Sequence, residues 1–183
     1  VNISTMVPNV FANCNNLATL TIGESVEKLP DYVFRVCKSL TTLNYNAENC
    51  ASIGQYVFPS SIKTLNIGEL VKTIRDNTFS VCTGLTTVNF NAENCTTMGS
   101  SDPVFIYCSE LTTLNIGESV KTIPDYAFRN CDGLKELTIP NSVITIGNEA
   151  FSGCTSLTIL NYNAVNVSTM VPNVFANCNN LAT

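Results

Sequence analysis

The residues of this chain with the greatest chemical potential are its nine cysteines and fourteen carboxylates. Seven thiols obey one rule: Cys14, Cys37, Cys82, Cys108, Cys131, Cys154 and Cys178 each stand three residues after a phenylalanine. Thiolates can act as nucleophiles, metal ligands or redox pairs. No CxxC pair occurs and there is no histidine. Cys-His and Ser-His-Asp sites are therefore excluded, and the commonest general base and metal ligand is missing. If the seven thiols stack one per turn, their Cα atoms lie about 4.7–4.9 Å apart. Parallel side-chain directions then hold the Cβ atoms beyond the ~3.5–4.5 Å that a disulfide needs. Cys50 and Cys95 occupy positions where other units carry Val or Ile, and a residue interchangeable with Val behaves as a small buried apolar group. The expectation is buried free thiols, no metal, no cofactor and no enzymatic centre.

Five of the carboxylates also recur in phase: Glu24, Glu48, Glu69, Glu93 and Glu118. They would form a row along one rim. A cation site or an acidic docking edge is the functional reading, and a solvated rim that keeps the array soluble is the plainer one. Calcium takes about six to eight oxygens from a flexible loop, and no such loop pattern is present. The net charge of -5, with nine scattered Lys and Arg, lacks the basic face of a nucleic-acid binder. No stretch reaches the ~18 apolar residues of a membrane span. No signal peptide is visible, and the chain opens on Val1 rather than Met.

The phase shared by these residues comes from a repeat, which decides the fold before any local reading. Phe11, Phe34, Phe58, Phe79, Phe105, Phe128, Phe151 and Phe175 are spaced 23, 24, 21, 26, 23, 23 and 24 residues apart. Leu follows six residues later (Leu17, Leu40, Leu85, Leu111, Leu134, Leu157, Leu181), and a second Leu or Val nine later (Leu20, Leu43, Val88, Leu114, Leu137, Leu160). Ile, Tyr or Phe follows eleven later (Ile22, Tyr45, Phe90, Ile116, Ile139, Tyr162). The unit at Phe58 has lost two residues, so Ile62, Leu65 and Ile67 fill these columns early. An apolar pair such as Val26/Leu29 or Val120/Ile123 precedes each Phe, and two extra residues within Gly99–Pro103 should bulge outward as a loop. Residues 1–19 and 165–183 agree at 18 of 19 positions. The expected organisation is one array over 1–183, about eight ~23-residue turns, cut from a longer array.

The last four residues of each LxxLxI segment alternate apolar and polar, which reads as a short strand. One strand per turn in a constant direction makes a parallel sheet on one face. The stretch entering Phe is too short for a full helix and is expected to form a helical or 3₁₀ turn on the opposite face. Neighbouring units bury each other's apolar sides, so stability accumulates over units and interfaces.

The pattern SVxxIPxxAFxxCxxLxxLxI, clearest from Ser119-Val120 through Ile139 and from Ser142-Val143 through Leu160, resembles the BspA-type leucine-rich repeat. The likeness spans essentially the whole chain, although units opening with NYNAENC lack the IP segment. The resemblance implies an α/β repeat solenoid, right-handed, with a parallel sheet on one face and short helical or 3₁₀ turns on the other. It also implies a surface-exposed or secreted protein of a host-associated microbe, linked to adhesion and host-protein binding.

The outward strand positions make the expected binding face. One row is Thr19, Thr42, Thr64, Thr87, Thr113, Glu136 and Ile159; the next is Thr21, Asn44, Asn66, Asn89, Asn115, Thr138 and Asn161. Solenoids use such faces for recognition, while Thr also simply favours a half-exposed strand. Regular Thr rows invite an ice-binding reading, which the mostly Asn second row disfavours. Asn2, Asn94 and Asn166 head N-x-S/T acceptors, and Tyr32 and Tyr126 after Pro-Asp read as packing residues. The function expected is a non-enzymatic module binding a protein or glycan ligand through the sheet face. The alternative is a structural spacer or intracellular scaffold, which the disulfide-poor cysteine usage also suits. The exposed core columns at both ends further predict end-to-end self-association.

Overall fold

A computed structural model describes residues 10–11, 14–100 and 103–181. Among the described residues, seven four-residue strands alternate with seven two-residue strands. The longer ones are β1 (Thr19–Ile22), β3 (Thr42–Tyr45), β5 (Thr64–Ile67), β7 (Thr87–Phe90), β9 (Thr113–Ile116), β11 (Glu136–Ile139) and β13 (Ile159–Tyr162). They are the LxxLxI segments. In β3, β5 and β7 the Leu or Val and the final apolar residue are buried, while the Thr and Asn between them are half-exposed. All pairing is parallel and in register, so Thr19 faces Thr42, Thr42 faces Thr64, and so on along the row. The shared spacing of the columns dictates this, because a slip of one residue would turn every apolar side chain to solvent.

The short strands β2 (Lys28–Leu29), β4 (Ser52–Ile53), β6 (Thr73–Ile74), β8 (Thr97–Met98), β10 (Thr122–Ile123), β12 (Thr145–Ile146) and β14 (Thr169–Met170) form a second, interrupted ladder. It runs as β2-β4, β6-β8 and β10-β12-β14. Each carries the second member of the apolar pair that precedes Phe.

The helical face expected from the sequence is absent among the described residues, which contain no helix. Two columns of left-handed backbone explain this. Two residues before Phe stand Tyr32, Tyr56, Asn77, Tyr126, Glu149 and Asn173; two after it stand Tyr107, Asn130, Gly153 and Asn177; all have positive φ. Three turns carry both (Tyr126/Asn130, Glu149/Gly153, Asn173/Asn177) and the others one, and each left-handed residue stops successive helical bonds from propagating. Single turns result, as in Arg35 N–H to Tyr32 O, Cys37 N–H to Phe34 O and Leu40 N–H to Cys37 O. The freed amides reach the neighbouring turn instead: Tyr32 to Gln55 O, Phe34 to Val57 O, Phe128 to Ala150 O and Asn130 to Ser152 O. Inter-turn bonding thus replaces helix bonding on this face and satisfies the same buried groups.

The phenylalanines stack face to face along the whole array, from Phe11–Phe34 at 5.1 Å to Phe151–Phe175 at 5.5 Å between ring centroids. Tyr45 and Phe90 enter from the sheet side and meet Phe79 and Phe128 edge-on, at 5.5 and 5.6 Å. Each buried ring contributes roughly 1.5–3 kcal/mol of burial, with about 0.5–1.5 kcal/mol more per aromatic pair. The Tyr45 hydroxyl ends in this core without a hydrogen-bond partner.

The main sheet is divided: β1-β3-β5-β7-β9 form one sheet and β11-β13 another. Bonds are missing at both ends of the strand pair: the Thr112 carbonyl receives no N–H from Lys135 or Glu136, whereas Thr86 O takes both Thr112 and Thr113, and Pro140 interrupts the other end. Where continuous, the residue after each long strand donates its N–H to the last strand residue of the previous turn: Asn46 to Ile22, Gly68 to Tyr45, Asn91 to Ile67, Gly117 to Phe90 and Asn163 to Ile139. Pro140 holds this position after β11 and has no N–H to give Ile116. A seam opens between β9 and β11, while the Phe105, Phe128 and Phe151 stack continues behind it at 5.7 and 5.6 Å.

Candidate functional site on the sheet face

The two outward rows lie as the sequence reading placed them, on the long strands and facing away from the core. Thr42, Thr64 and Thr87 are half-buried; Thr19, Thr113 and Glu136 are exposed. The hydroxyls of Thr42, Thr64 and Thr87 make no hydrogen bond within the described chain and remain open to solvent or a partner. Ile159 extends this row as an apolar residue 50% exposed.

The second row is a bonded ladder. Asn44 Nδ2 donates to Thr21 Oγ1 at 3.1 Å, Asn66 Nδ2 to Asn44 Oδ1 at 2.7 Å, Asn89 Nδ2 to Asn66 Oδ1 at 2.6 Å, and Asn115 Nδ2 to Asn89 Oδ1 at 2.7 Å. In-register strands set identical side chains one strand spacing apart, the span that an amide-to-amide bond bridges. The ladder stops at the seam, where Thr138 replaces Asn. Beyond it, Asn161 Nδ2 donates to Glu136 Oε1 at 2.9 Å and Thr138 Oγ1 at 3.3 Å. A cleft of about 420 Å³ occupies the seam, bounded by Thr113, Asn115 and Glu118 on one side and Glu136 and Thr138 on the other. The face therefore presents fixed, neutral amides with spare donor and acceptor capacity on each group, beside a row of free hydroxyls. It suits hydrogen bonding to an extended polar ligand.

The other expected sites stay apart from this face. Eight of the nine thiols are buried, Cys14 is half-buried, and all are unpaired. Cys37, Cys108, Cys154 and Cys178 donate S–H to the carbonyls of Phe11, Phe79, Phe128 and Phe151, each in the preceding turn. Burial pushes the Cys95 and Cys108 thiols up to about 12 and raises Cys82 and Cys131 as well. Such thiols stay protonated near neutrality and are poor nucleophiles. In the glutamate row, Glu48 pairs with Lys72, and Glu24, Glu69, Glu93 and Glu118 are solvent-exposed. Among the described residues no three His, Cys, Asp or Glu converge as for a metal, and no helix is long and apolar enough to cross a membrane. Asn94 and Asn166 are exposed, and Asn2 lies outside the described residues. The Gly99–Pro103 insertion lies partly outside them; Ser100 donates its N–H and Oγ–H to Asp76.

Two exposed tyrosines escaped the sequence reading: Tyr56 and Tyr107 are 49% and 71% exposed. Tyr56 stacks on Tyr32 at 5.7 Å, with the Arg35 guanidinium over both rings. Both belong to units of irregular length, the one signal that could have singled them out.

A family model, the BspA type leucine rich repeat region, matches this chain in six copies over residues 2–101 and 100–183. No curated protein sequence matches it. Among solved structures, a leucine-rich repeat protein of T. pallidum superposes with a TM-score of 0.57 at 22% identity, covering 91% of this chain and 78% of that one. A leucine-rich repeat protein from Bacteroides ovatus superposes with a TM-score of 0.51, also at 22% identity, over 90% of this chain. This chain spans 59% of the length of that protein. At these identities the structural likeness carries the fold, a parallel leucine-rich-repeat solenoid. With the repeat model matched from end to end, the chain belongs to the BspA-type leucine-rich-repeat family.

Proposed function

We propose that this chain is a non-enzymatic binding module of a cell-surface or secreted protein, engaging a protein or glycan ligand through the sheet face. The observation that supports this reading is the in-register row of free Thr hydroxyls beside the Asn ladder. Together they form a rigid, neutral, hydrogen-bonding surface five strands wide. Its order limits the entropy that binding must remove. The contact residues would be Thr42, Asn44, Thr64, Asn66, Thr87, Asn89, Thr113 and Asn115, flanked by Thr19 and Thr21 and, across the seam, by Glu136, Thr138 and Asn161. Direct binding to a panel of host matrix proteins and glycans tests it, with a control carrying Lys at Thr64, Thr87 and Thr113. Saturable binding lost in the control supports the reading; binding that survives the three lysines refutes the face.

The alternative is a structural spacer or intracellular scaffold, favoured by nine thiols and no disulfide. Absence of any ligand for the intact chain would support it. End-to-end association belongs to either reading, because residues 1–19 and 165–183 share the same columns. Light scattering should give a mass that rises with concentration, and a constant monomer mass over a wide range would refute it.

A further inference from the structure

The irregularities of the array converge on the face away from the Asn ladder. The two-residue deletion after Phe58 and the insertion before Phe105 are its two departures from regular length. The short-strand ladder breaks at the same level, between β4 and β6 and between β8 and β10. Two clefts of about 400 Å³ each open there and share Ile53 and Asp76. They adjoin through these two residues.

Tyr56 and Tyr107 border the first cleft. They sit on the turns either side of the one that supplies Asn77, Ser80 and Val81. Neighbouring Phe rings in these turns are 5.7 Å apart, so two such spacings separate the tyrosine-bearing turns. The short side chains of Asn77, Ser80 and Val81 in the intervening turn floor the cleft between them, and a ring packed on an aromatic face sits about 3.5–4.0 Å from it. Both residues have positive φ, 50° and 70°, a conformation that costs a bulky side chain of order 1–3 kcal/mol. Elsewhere the same two columns carry the half-buried Tyr32, Tyr126 and Glu149, Gly153, and Asn77, Asn173, Asn130 and Asn177, of which Asn tolerates the conformation well. Stacking on Tyr32 offsets this cost at Tyr56, whereas Tyr107, 71% exposed, has no burial to offset it. Tyr32 and Arg35 pack on Tyr56, and its ring also borders the cleft beside the shorter Asn77 of the next turn. The rest of the groove offers the Gln55 amide and the Ser80 hydroxyl, and its charges, Arg75 and Asp76, balance.

Exposed aromatic rings beside neutral amides and hydroxyls match one ligand chemistry. A pyranose ring presents C–H groups on its face and hydroxyls around its edge. We propose that the Tyr56–Tyr107 cleft binds a neutral oligosaccharide, with sugar rings stacked on the two tyrosines and hydroxyls bonded to Gln55 and Ser80. This site is separate from the sheet face and stands or falls independently of it.

The test titrates the full chain with cellohexaose, maltohexaose, chitohexaose and mannohexaose, followed by calorimetry and tyrosine fluorescence, which no Trp obscures. Decaproline is the peptide comparison. At least one sugar should bind saturably, and Tyr107→Asn and Tyr56→Asn should each weaken it tenfold or more. Asn suits both backbone positions, so these variants keep the fold, and Tyr107→Phe should retain binding. The three-lysine variant of the sheet face should bind the sugar unchanged. Three results would overturn the proposal: silence of all four sugars at about 10 mM, binding indifferent to Tyr107→Asn, or binding of decaproline alone.

Discussion

Replacing Asn89 by Ala removes the centre of the amide ladder. Asn115 loses its acceptor at 2.7 Å and Asn66 its donor at 2.6 Å. Each bond contributes about 0.5–1.5 kcal/mol net, and half-exposure lets water replace part of it. The expected loss is about 1–2 kcal/mol, against about 0.5–1 kcal/mol for Asn115→Ala, which breaks a single bond. Asn89→Asp behaves differently. A carboxylate can accept from Asn115 but cannot donate to Asn66. Rotating the amides of Asn66 and Asn44 by half a turn lets Asn66 donate to the carboxylate and Asn44 donate to Asn66. The chain of bonds then ends at the Thr21 hydroxyl, which switches from acceptor to donor. The bond count is preserved, so Asn89→Asp should lose less than about 1 kcal/mol. Adding Thr21→Val removes the terminal donor and should make the Asp variant cost at least as much as Ala. Urea denaturation of the four variants reads these differences, and each kcal/mol should move Tm by roughly 2–4 °C. Equal losses for Asn89→Ala and Asn115→Ala would refute the ladder as a stabilising element. An Asp variant as damaged as Ala while Thr21 is intact would refute its reversibility.

Tyr45→Phe should raise stability by about 1 kcal/mol, because it removes a buried hydroxyl without a partner and copies Phe90 in the equivalent position; a loss above 1 kcal/mol in chemical denaturation would show that the hydroxyl is bonded. The thiols predict alkaline sensitivity. Cys95 and Cys108 titrate near 12 when folded, against 9.0 for a free thiol, so their contribution is complete below about 9 and is lost as pH rises towards 12. The fall approaches ~1.4 kcal/mol per pH unit for each thiol; denaturation curves should show it, and Cys95→Val should lessen the slope. Pro140→Asn supplies the missing N–H to Ile116. The bond gained and the Pro rigidity lost are each about 1 kcal/mol, so hydrogen exchange is the assay: the amides of β11 should gain protection, and unchanged exchange would mean that Pro140 does not cause the seam.

The solenoid was legible because eight phenylalanines and their Leu columns repeat with nearly constant spacing, and spacing alone fixes register. The Thr and Asn rows followed from alternation within each strand. The helical face was misread because the residues that break it are Tyr, Asn and Glu, which lack the obvious glycine signature of a left-handed position. The short second ladder was not visible, since a two-residue strand is too brief to show alternation. Pro140 was in plain view, but its effect depends on which carbonyl in the previous turn waits for its N–H. Mutual bonding of Asn44, Asn66, Asn89 and Asn115 likewise needed the strands to be placed side by side.

The seam at Pro140 gives the array a mechanical grain. The phenylalanine column behind it is unbroken, so a bending load is resisted by packed rings on one side and, at this level, by no continuous backbone tie on the other. Flexure that opens the sheet face will concentrate here, while the β10-β12 ladder and the bonds from Phe128 and Asn130 to Ala150 and Ser152 hold the same two turns together behind it. The sheet face then hinges as two panels, the first with the five-strand amide ladder intact, the second with Glu136, Thr138 and Asn161. A surface held at one end and loaded at the other would flex at a chosen place before its bonded face is disturbed.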